Sequence, residues 1–186
     1  MKNLKIIIIT AVILTVICAV SAAGLAVTNE LTADRIAQAE QKAEQEAMSR
    51  VIEAESYTKA SVTVNGVESV YYIAGNDSVE GYIFTVSHNG YGGPVKVMTG
   101  IASDGKIIAI EILSASEETP GLGQNVAKEK IGNWSWEQFK GLSDQAVIGG
   151  NVEAVTGATI SSKAVVSCVN EALDMYKAIK EGENNG

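Results

Sequence analysis

The segment Val155-Thr156-Gly157-Ala158-Thr159-Ile160-Ser161-Ser162 gathers four hydroxyl side chains around a Gly-Ala pair that leaves the backbone uncovered. An apolar periodic run follows at once, so the segment sits where a helix begins. Helix N-terminal amides point outward without intrahelical partners, and the helix dipole favours negative charge there. Such a place can hold a phosphate. It can also offer a threonine hydroxyl to a modifying enzyme, because no bulky neighbour shields it. On these residues alone, Thr159 reads first as a helix N-cap. Two more glycine-rich stretches lie upstream: Gly90-Tyr91-Gly92-Gly93-Pro94-Val95-Lys96-Val97 and Glu118-Thr119-Pro120-Gly121-Leu122-Gly123. Pro120 followed by Gly121 suits a type II turn. The first stretch lets a backbone approach a ligand closely, and also suits a flexible lead into a strand. The second is either a rigid connector or one wall of a pocket, and the two readings are compatible.

These loops need elements to position them. Val67 to Ile73, Tyr82 to Val86, Val95 to Ala102 and Ile107 to Leu113 are β-branched and aromatic runs separated by turn residues, which predicts strands. Ser103-Asp104-Gly105-Lys106 joins the last two as a hairpin. Lys128 to Leu142 reads as helical or irregular. Ile160 to Ile179 reads as an amphipathic helix with Val165, Val169, Ala172, Tyr176 and Ile179 on one face. The expected fold class is therefore α+β: an antiparallel sheet with a C-terminal helix packed on it, preceded by an N-terminal membrane helix and a helical stalk.

Ile6 to Val27 carries no charge. As a helix rising ~1.5 Å per residue it would span ~33 Å, enough for the hydrocarbon core of a bilayer. Lys2 and Lys5 precede it, and Glu30 and Asp34 follow. The positive-inside rule then puts the N-terminus in the cytoplasm and the remainder outside the membrane. A cleaved signal peptide ending at Ala19-Val20-Ser21 is the rival reading; the apolar run continuing to Val27 favours a retained anchor in contact with lipid. Asn29 to Ser56 is rich in Ala, Glu and Gln without Gly or Pro, which predicts a helix. Its apolar stripe of Leu31, Ile36, Ala43, Ala47, Val51 and Ile52 is thin, which favours a solvated stalk over a docking helix. The expected divisions are an anchor over 1–28, a stalk over 29–58, a folded domain over 59–181 and a frayed polar tail over 182–186.

The formal net charge is −8, with only 14 Lys and Arg. That argues against a nucleic-acid partner, which needs clustered basic charge. The two cysteines, Cys18 and Cys168, lie far apart in different segments and form no Cys-x-x-Cys, so an iron–sulfur cluster held by this chain is not supported. A single histidine, His88, makes a protein-only zinc site improbable. His88 reads as an ordinary surface residue, and Trp134 and Trp136 as local core anchors.

Thr156-Gly157-Ala158-Thr159 resembles the flavin-attachment motif Ser/Thr-Gly-Ala-Thr, whose last Thr carries FMN through a phosphoester. With Gly90 to Val97, Glu118 to Gly123 and the N-terminal apolar segment in the same order, the chain resembles the G subunit of the Rnf electron-transport complex over nearly its whole length. Three ordered motifs and an anchor are far more specific than four residues alone. The resemblance implies covalent FMN on Thr159, held by Thr156, Gly157, Ala158, Ser161 and Lys163. It implies that Glu118, Thr119, Gly121, Leu122 and Gly123, together with Tyr91 and Gly92, line the flavin. It implies an electron carrier outside the membrane, working with the other membrane and peripheral Rnf subunits. Those subunits link reduced ferredoxin and NAD to transport of Na+ or H+. An FAD-dependent flavin transferase would mature the chain. Two residues depart from the family pattern: Glu153 where Asp is usual, and Ser116 where His often precedes Glu-Thr-Pro-Gly-Leu-Gly. The homologous C subunit of the sodium-pumping NADH:quinone reductase is a second electron-transfer reading. A membrane-anchored assembly module without flavin is a reading of another class.

Overall fold

A computed structural model describes residues 2–64, 67–75 and 78–184. The chain divides into two compact units, residues 1–43 and 44–186. The first unit is the N-terminal part of helix α1 (Lys2–Val51). From Lys5 onward this helix is long and apolar enough to cross a membrane, with a mean hydropathy of 2.8 in its most apolar stretch and none of that stretch buried. Thr10, Thr15 and Thr28 each return their hydroxyl to the carbonyl four residues back, at 2.8–2.9 Å. The hydroxyls of Thr10 and Thr15 within the apolar run, and of Thr28 just past it, therefore need no outside partner.

The second unit is built on five antiparallel strands in sequential order: β1 (Tyr57–Val64), β2 (Val67–Ala74), β3 (Gly81–Asn89), β4 (Pro94–Ala102) and β5 (Ile107–Ser114). β2 to β5 match the four expected strands to within a few residues. β1 has no counterpart among the expected strands. It is an edge strand in which Ala60, Val62 and Val64 alternate with exposed Ser61 and Thr63, but the alternation is short and no residue in it is fully buried. The hairpin between β4 and β5 forms as expected. Asp104 accepts the Lys106 amide at 3.1 Å, and Gly105 takes φ +89° to close the turn. Lys128 to Leu142 is irregular, with a short β6–β7 ladder (Lys130–Ile131, Trp134–Ser135) and a single 3-10 turn, Trp136–Phe139. Trp134 and Phe139 are fully buried edge-to-face at 5.8 Å and anchor this region, as the sequence suggests for Trp134.

Helix α2 (Thr159–Asn184) covers one face of the sheet. Val165, Val169, Ala172, Tyr176 and Ile179 are all buried, along with Leu173, against Tyr82, Phe84, Val97 and Ile101. Tyr176 donates its hydroxyl to Ser103 O at 2.8 Å and meets the Tyr82 ring edge-on at 5.5 Å, which ties the helix to the hairpin. The helix reaches Asn184 and so includes most of the segment expected to fray; residues 185–186 lie outside the described residues.

The opposite face of the sheet is covered by the last turns of α1, which belong to this same unit. Ala47, Met48, Val51 and Ile52 are buried with Ala74, Ile83 and Met98. The apolar stripe noted in the sequence thus has two fates: Leu31 is 73% and Ile36 52% exposed, whereas Val51 is 2% exposed. The end of the helix docks because a glycine lets it. A Cβ at Gly100 would collide with Val51 and Ile52. The helix stops at Val51, Tyr57 donates its hydroxyl to Ile52 O at 2.7 Å, and Arg50 pairs with Glu111 of β5 at 2.9 Å. The hydrogen bond and charge of Glu111 raise the Arg50 pKa further. Gly100→Val should destabilise the domain by about 1–3 kcal/mol through overpacking at this contact. Thermal unfolding of the detergent-solubilised protein checks this; an unchanged midpoint would mean that the α1 contact adds nothing to stability.

Candidate functional site

The start of α2 is shaped by its own sequence. Gly157 takes φ +78°, a backbone geometry that side chains disfavour. Ser162 then fixes the entrance to the helix: its hydroxyl oxygen accepts the Val155 amide at 3.0 Å and its proton goes to Ala158 O at 3.0 Å. The first helical bond runs from Ser162 N–H to Ala158 O at 3.0 Å. The amides of Thr159, Ile160 and Ser161 therefore precede the hydrogen-bonded ladder. The N-cap position is Ala158, which has no side-chain oxygen to offer them, where Ser, Thr, Asp or Asn would ordinarily stand. Thr159 is exposed and is the first residue of the helix, one place past the cap position that its type alone suggests.

Glu118 closes the site from behind. It lies just after β5 and is 1% exposed. Its Oε2 accepts the Ser161 hydroxyl at 2.5 Å, and its Oε1 accepts the Gly92 amide at 3.1 Å. One carboxylate therefore ties together the β3–β4 loop, the β5 loop and the first turn of α2. The glycines around it are there for space. A Cβ at Gly90 or Gly123 would run into the Glu118 carboxylate, and one at Gly92 or Gly93 would run into Glu117. Gly121 differs: a Cβ there meets nothing within 4 Å, but its φ is +76°. It is the third residue of the expected type II turn, closed by Leu122 N–H to Thr119 O at 3.2 Å.

Between these loops lies a cavity of about 490 Å³, lined by Tyr91, Glu118, Thr119, Leu122, Gly123, Gly157, Ala158, Thr159, Ile160 and Ser161. That volume falls within the ~300–1,000 Å³ of small-ligand sites. All of these residues except Ile160 are candidates from the sequence. The signal for Ile160 is its place beside Thr159, and it is 53% exposed on a helix whose other apolar residues are mostly buried. Four candidates do not line the cavity. Thr156 and Lys163 are exposed beside it, Gly92 reaches it only through Glu118, and Gly121 shapes the turn. Tyr91, Leu122 and Ile160 give its rim an apolar character, being 73%, 48% and 53% exposed.

Other reactive groups lie outside the cavity. His88 of β3 pairs with Glu171 in the middle of α2 at 2.7 Å, both half-exposed. Cys168 is fully buried, and burial pushes its thiol up to about 12, so it is a poor nucleophile at neutral pH. Trp134 and Trp136 both donate to Val126 O, at 3.2 and 2.9 Å. Ser116 is exposed, with its hydroxyl 3.3 Å from that of Ser114. No group of three or more His, Cys, Asp and Glu suited to a metal occurs among the described residues.

Residues 90–174 match the family model of the FMN-binding domain, and residues 1–51 match that of the RnfG N-terminal region. The chain is 36% identical to the G subunit of the Na(+)-translocating ferredoxin:NAD(+) oxidoreductase complex of Acetobacterium woodii, over 95% of each chain. It is 30% identical to the G subunit of the proton-translocating ferredoxin:NAD(+) oxidoreductase complex of Clostridium ljungdahlii, over 91% of each. It is also 35% identical to the G subunit of the ion-translocating oxidoreductase complex of Methanosarcina acetivorans, over 94% of this chain and 97% of that one.

Glu118→Ala should leave the buried Ser161 hydroxyl and the Gly92 amide without their acceptor and cost about 2–4 kcal/mol, whereas Ser161→Ala, which removes one bond, should cost about 1–2 kcal/mol. Urea unfolding of the three proteins compares them. Equal effects of the two substitutions would contradict the role of Glu118 as the shared acceptor.

Proposed function

The chain belongs to the family of G subunits of ion-translocating oxidoreductase complexes, and from that premise we propose that it carries FMN, covalently on Thr159, as the membrane-anchored electron carrier of such a complex. The observation that carries the reading is the cavity at the start of α2, with an exposed Thr159 at its edge and an N-cap that supplies no oxygen. The residues fit an FMN. The amides of Thr159, Ile160 and Ser161 point at the helix N-terminus, where they and the helix dipole would hold a phosphate. Gly157 leaves room beside Thr159 for the ribityl chain, since its ideal Cβ would already approach Leu122 Cδ2 to 3.4 Å. Tyr91, Leu122 and Ile160 provide apolar surface for a flat ring system. Thr119 and Glu118 supply polar groups on the opposite wall. Thr156 and Lys163 stand outside the cavity and would act on the phosphate only from its solvent side.

Bound FMN would supply one- and two-electron redox chemistry, and the protein attaches, orients and tunes it. The chain itself needs no nucleophile or acid–base pair for this role. It is therefore a redox subunit of a ferredoxin:NAD oxidoreductase that moves Na+ or H+, with the other Rnf subunits as donor, acceptor and ion path. Its own apolar span, Ile6 to Val27, has no charge with which to build such a path. Residues 1–28 anchor the chain in lipid, 29–58 lead from the anchor and pack their last helical turns on the sheet, and 59–181 make up the rest of the FMN-binding domain. The N-terminus is cytoplasmic, and the domain faces outside. An FAD-dependent flavin transferase completes the protein.

Thr159→Val should abolish covalent FMN while leaving the fold intact, because Thr159 is exposed and its side chain is not part of the core. The intact mass and in-gel fluorescence of protein made with its transferase report this; a fluorescent band from the variant after denaturation would move the attachment elsewhere. For the orientation, protease added to right-side-out vesicles should digest the domain beyond residue 58. Complete protection would reverse the topology.

A further inference from the structure

The segment leading to Thr159 has no regular secondary structure, yet its backbone is held at successive points by side chains. Asn170 of α2 accepts the Ala146 amide at 2.7 Å and donates to Ala146 O at 3.0 Å. Asn151 accepts the Val147 amide at 2.7 Å. Gln138 makes the same double contact with Glu153: its Oε1 accepts the Glu153 amide at 2.7 Å, and its Nε2 donates to Glu153 O at 3.3 Å. One side-chain amide thus pairs both backbone groups of a residue, as a neighbouring strand would. Gln138 itself sits on a firm base, next to fully buried Phe139 in the turn Trp136–Phe139.

Clamping gives the segment a three-residue period. Val152, Val155 and Ala158 are buried, at 3%, 3% and 6% exposure, while Glu153, Thr156 and Thr159 are exposed. One side of the chain is anchored in the core and the other presents a row ending at the acceptor hydroxyl. We propose that Gln138 is a positioning residue for flavin attachment: by pairing the Glu153 backbone it holds the exposed row in the shape that the flavin-transferring enzyme binds. The inference rests on the reading of Thr159 as the attachment site. In that reaction the Thr159 hydroxyl oxygen bonds to the flavin-side phosphorus of FAD, the bond to the bridging oxygen breaks, AMP leaves with that oxygen, and the hydroxyl proton is released.

If the clamp is lost, the bound shape becomes only one of several conformations of the free segment. The apparent affinity of the enzyme for its protein substrate then falls by the fraction still in that shape, and turnover of the bound form does not. The test uses the full-length apoprotein in detergent, a flavin transferase and FAD, with initial rates of the FMN mass increment measured against apoprotein concentration. Gln138→Met, which keeps the length of the side chain but not its hydrogen bonds, should raise KM for the apoprotein about tenfold, with kcat unchanged. Gln138→Glu keeps the oxygen that accepts the shorter bond but turns a second acceptor toward the Glu153 carbonyl, so it should restore KM in part, to between the values of Gln138→Met and the original. An unchanged KM for Gln138→Met overturns the proposal, as does an equal rise for Gln138→Glu. If the unaltered protein gains FMN at a residue other than Thr159, or gains none, the attachment reading falls and takes this inference with it.

Discussion

The buried carboxylate of Glu118 is the constraint on which the site depends. A buried acceptor is stabilising only when donors reach it, and here they come from two separate stretches: Gly92 of the β3–β4 loop and Ser161 of α2. The glycines of both loops follow from this. Gly90 and Gly123 leave space for the carboxylate itself, and Gly92 and Gly93 leave space for Glu117 beside it. Three sequence motifs that look independent along the chain are thus one packing unit.

Around that unit the sheet is covered on two sides by different means. α2 contributes a long apolar face with Tyr176 fastened to the β4–β5 hairpin. The last turns of α1 contribute a small patch that fits only because Gly100 has no side chain. The first cover positions Thr159, since the helix that fills the core is the one whose N-terminus opens at the cavity. Core packing and the geometry of the cavity at the start of α2 are therefore coupled: a shift of α2 along the sheet would move both.

An electron carrier has to hold its cofactor firmly while leaving it within reach of partners. The arrangement meets both demands by division of labour. The polar wall is rigid, built from a buried acid and a helix start, whereas the apolar rim of Tyr91, Leu122 and Ile160 is open to solvent. Buried Cys168 and the paired His88 stand apart from the cavity, and neither lines it.

Much of this is legible in the residues. Four of the five strands announce themselves by β-branched runs, α2 by its helical period, and the apolar span by its lack of charge, because each of these is a local pattern. Thr159, Glu118, Leu122 and Gly123 are likewise identifiable, since glycine-rich turns and a hydroxyl cluster at a helix start have local chemical meaning. What sequence could not decide is non-local. The edge strand β1 carries only a short alternation, Ala60 to Val64, and its full length is fixed by pairing with β2. The docking of Val51 and Ile52 depends on Gly100, far along the chain, and a thin apolar stripe looks the same whether solvent or a sheet lies opposite. Lys163 and Thr156 are near Thr159 along the chain but do not line the cavity, while Ile160 does. The hydrogen bonds of Glu118 and the hold of Gln138 on Glu153 join residues far apart in sequence. Only the tertiary fold brings such partners together, because a hydrogen bond depends on distance and direction in space and leaves no periodic trace along the chain.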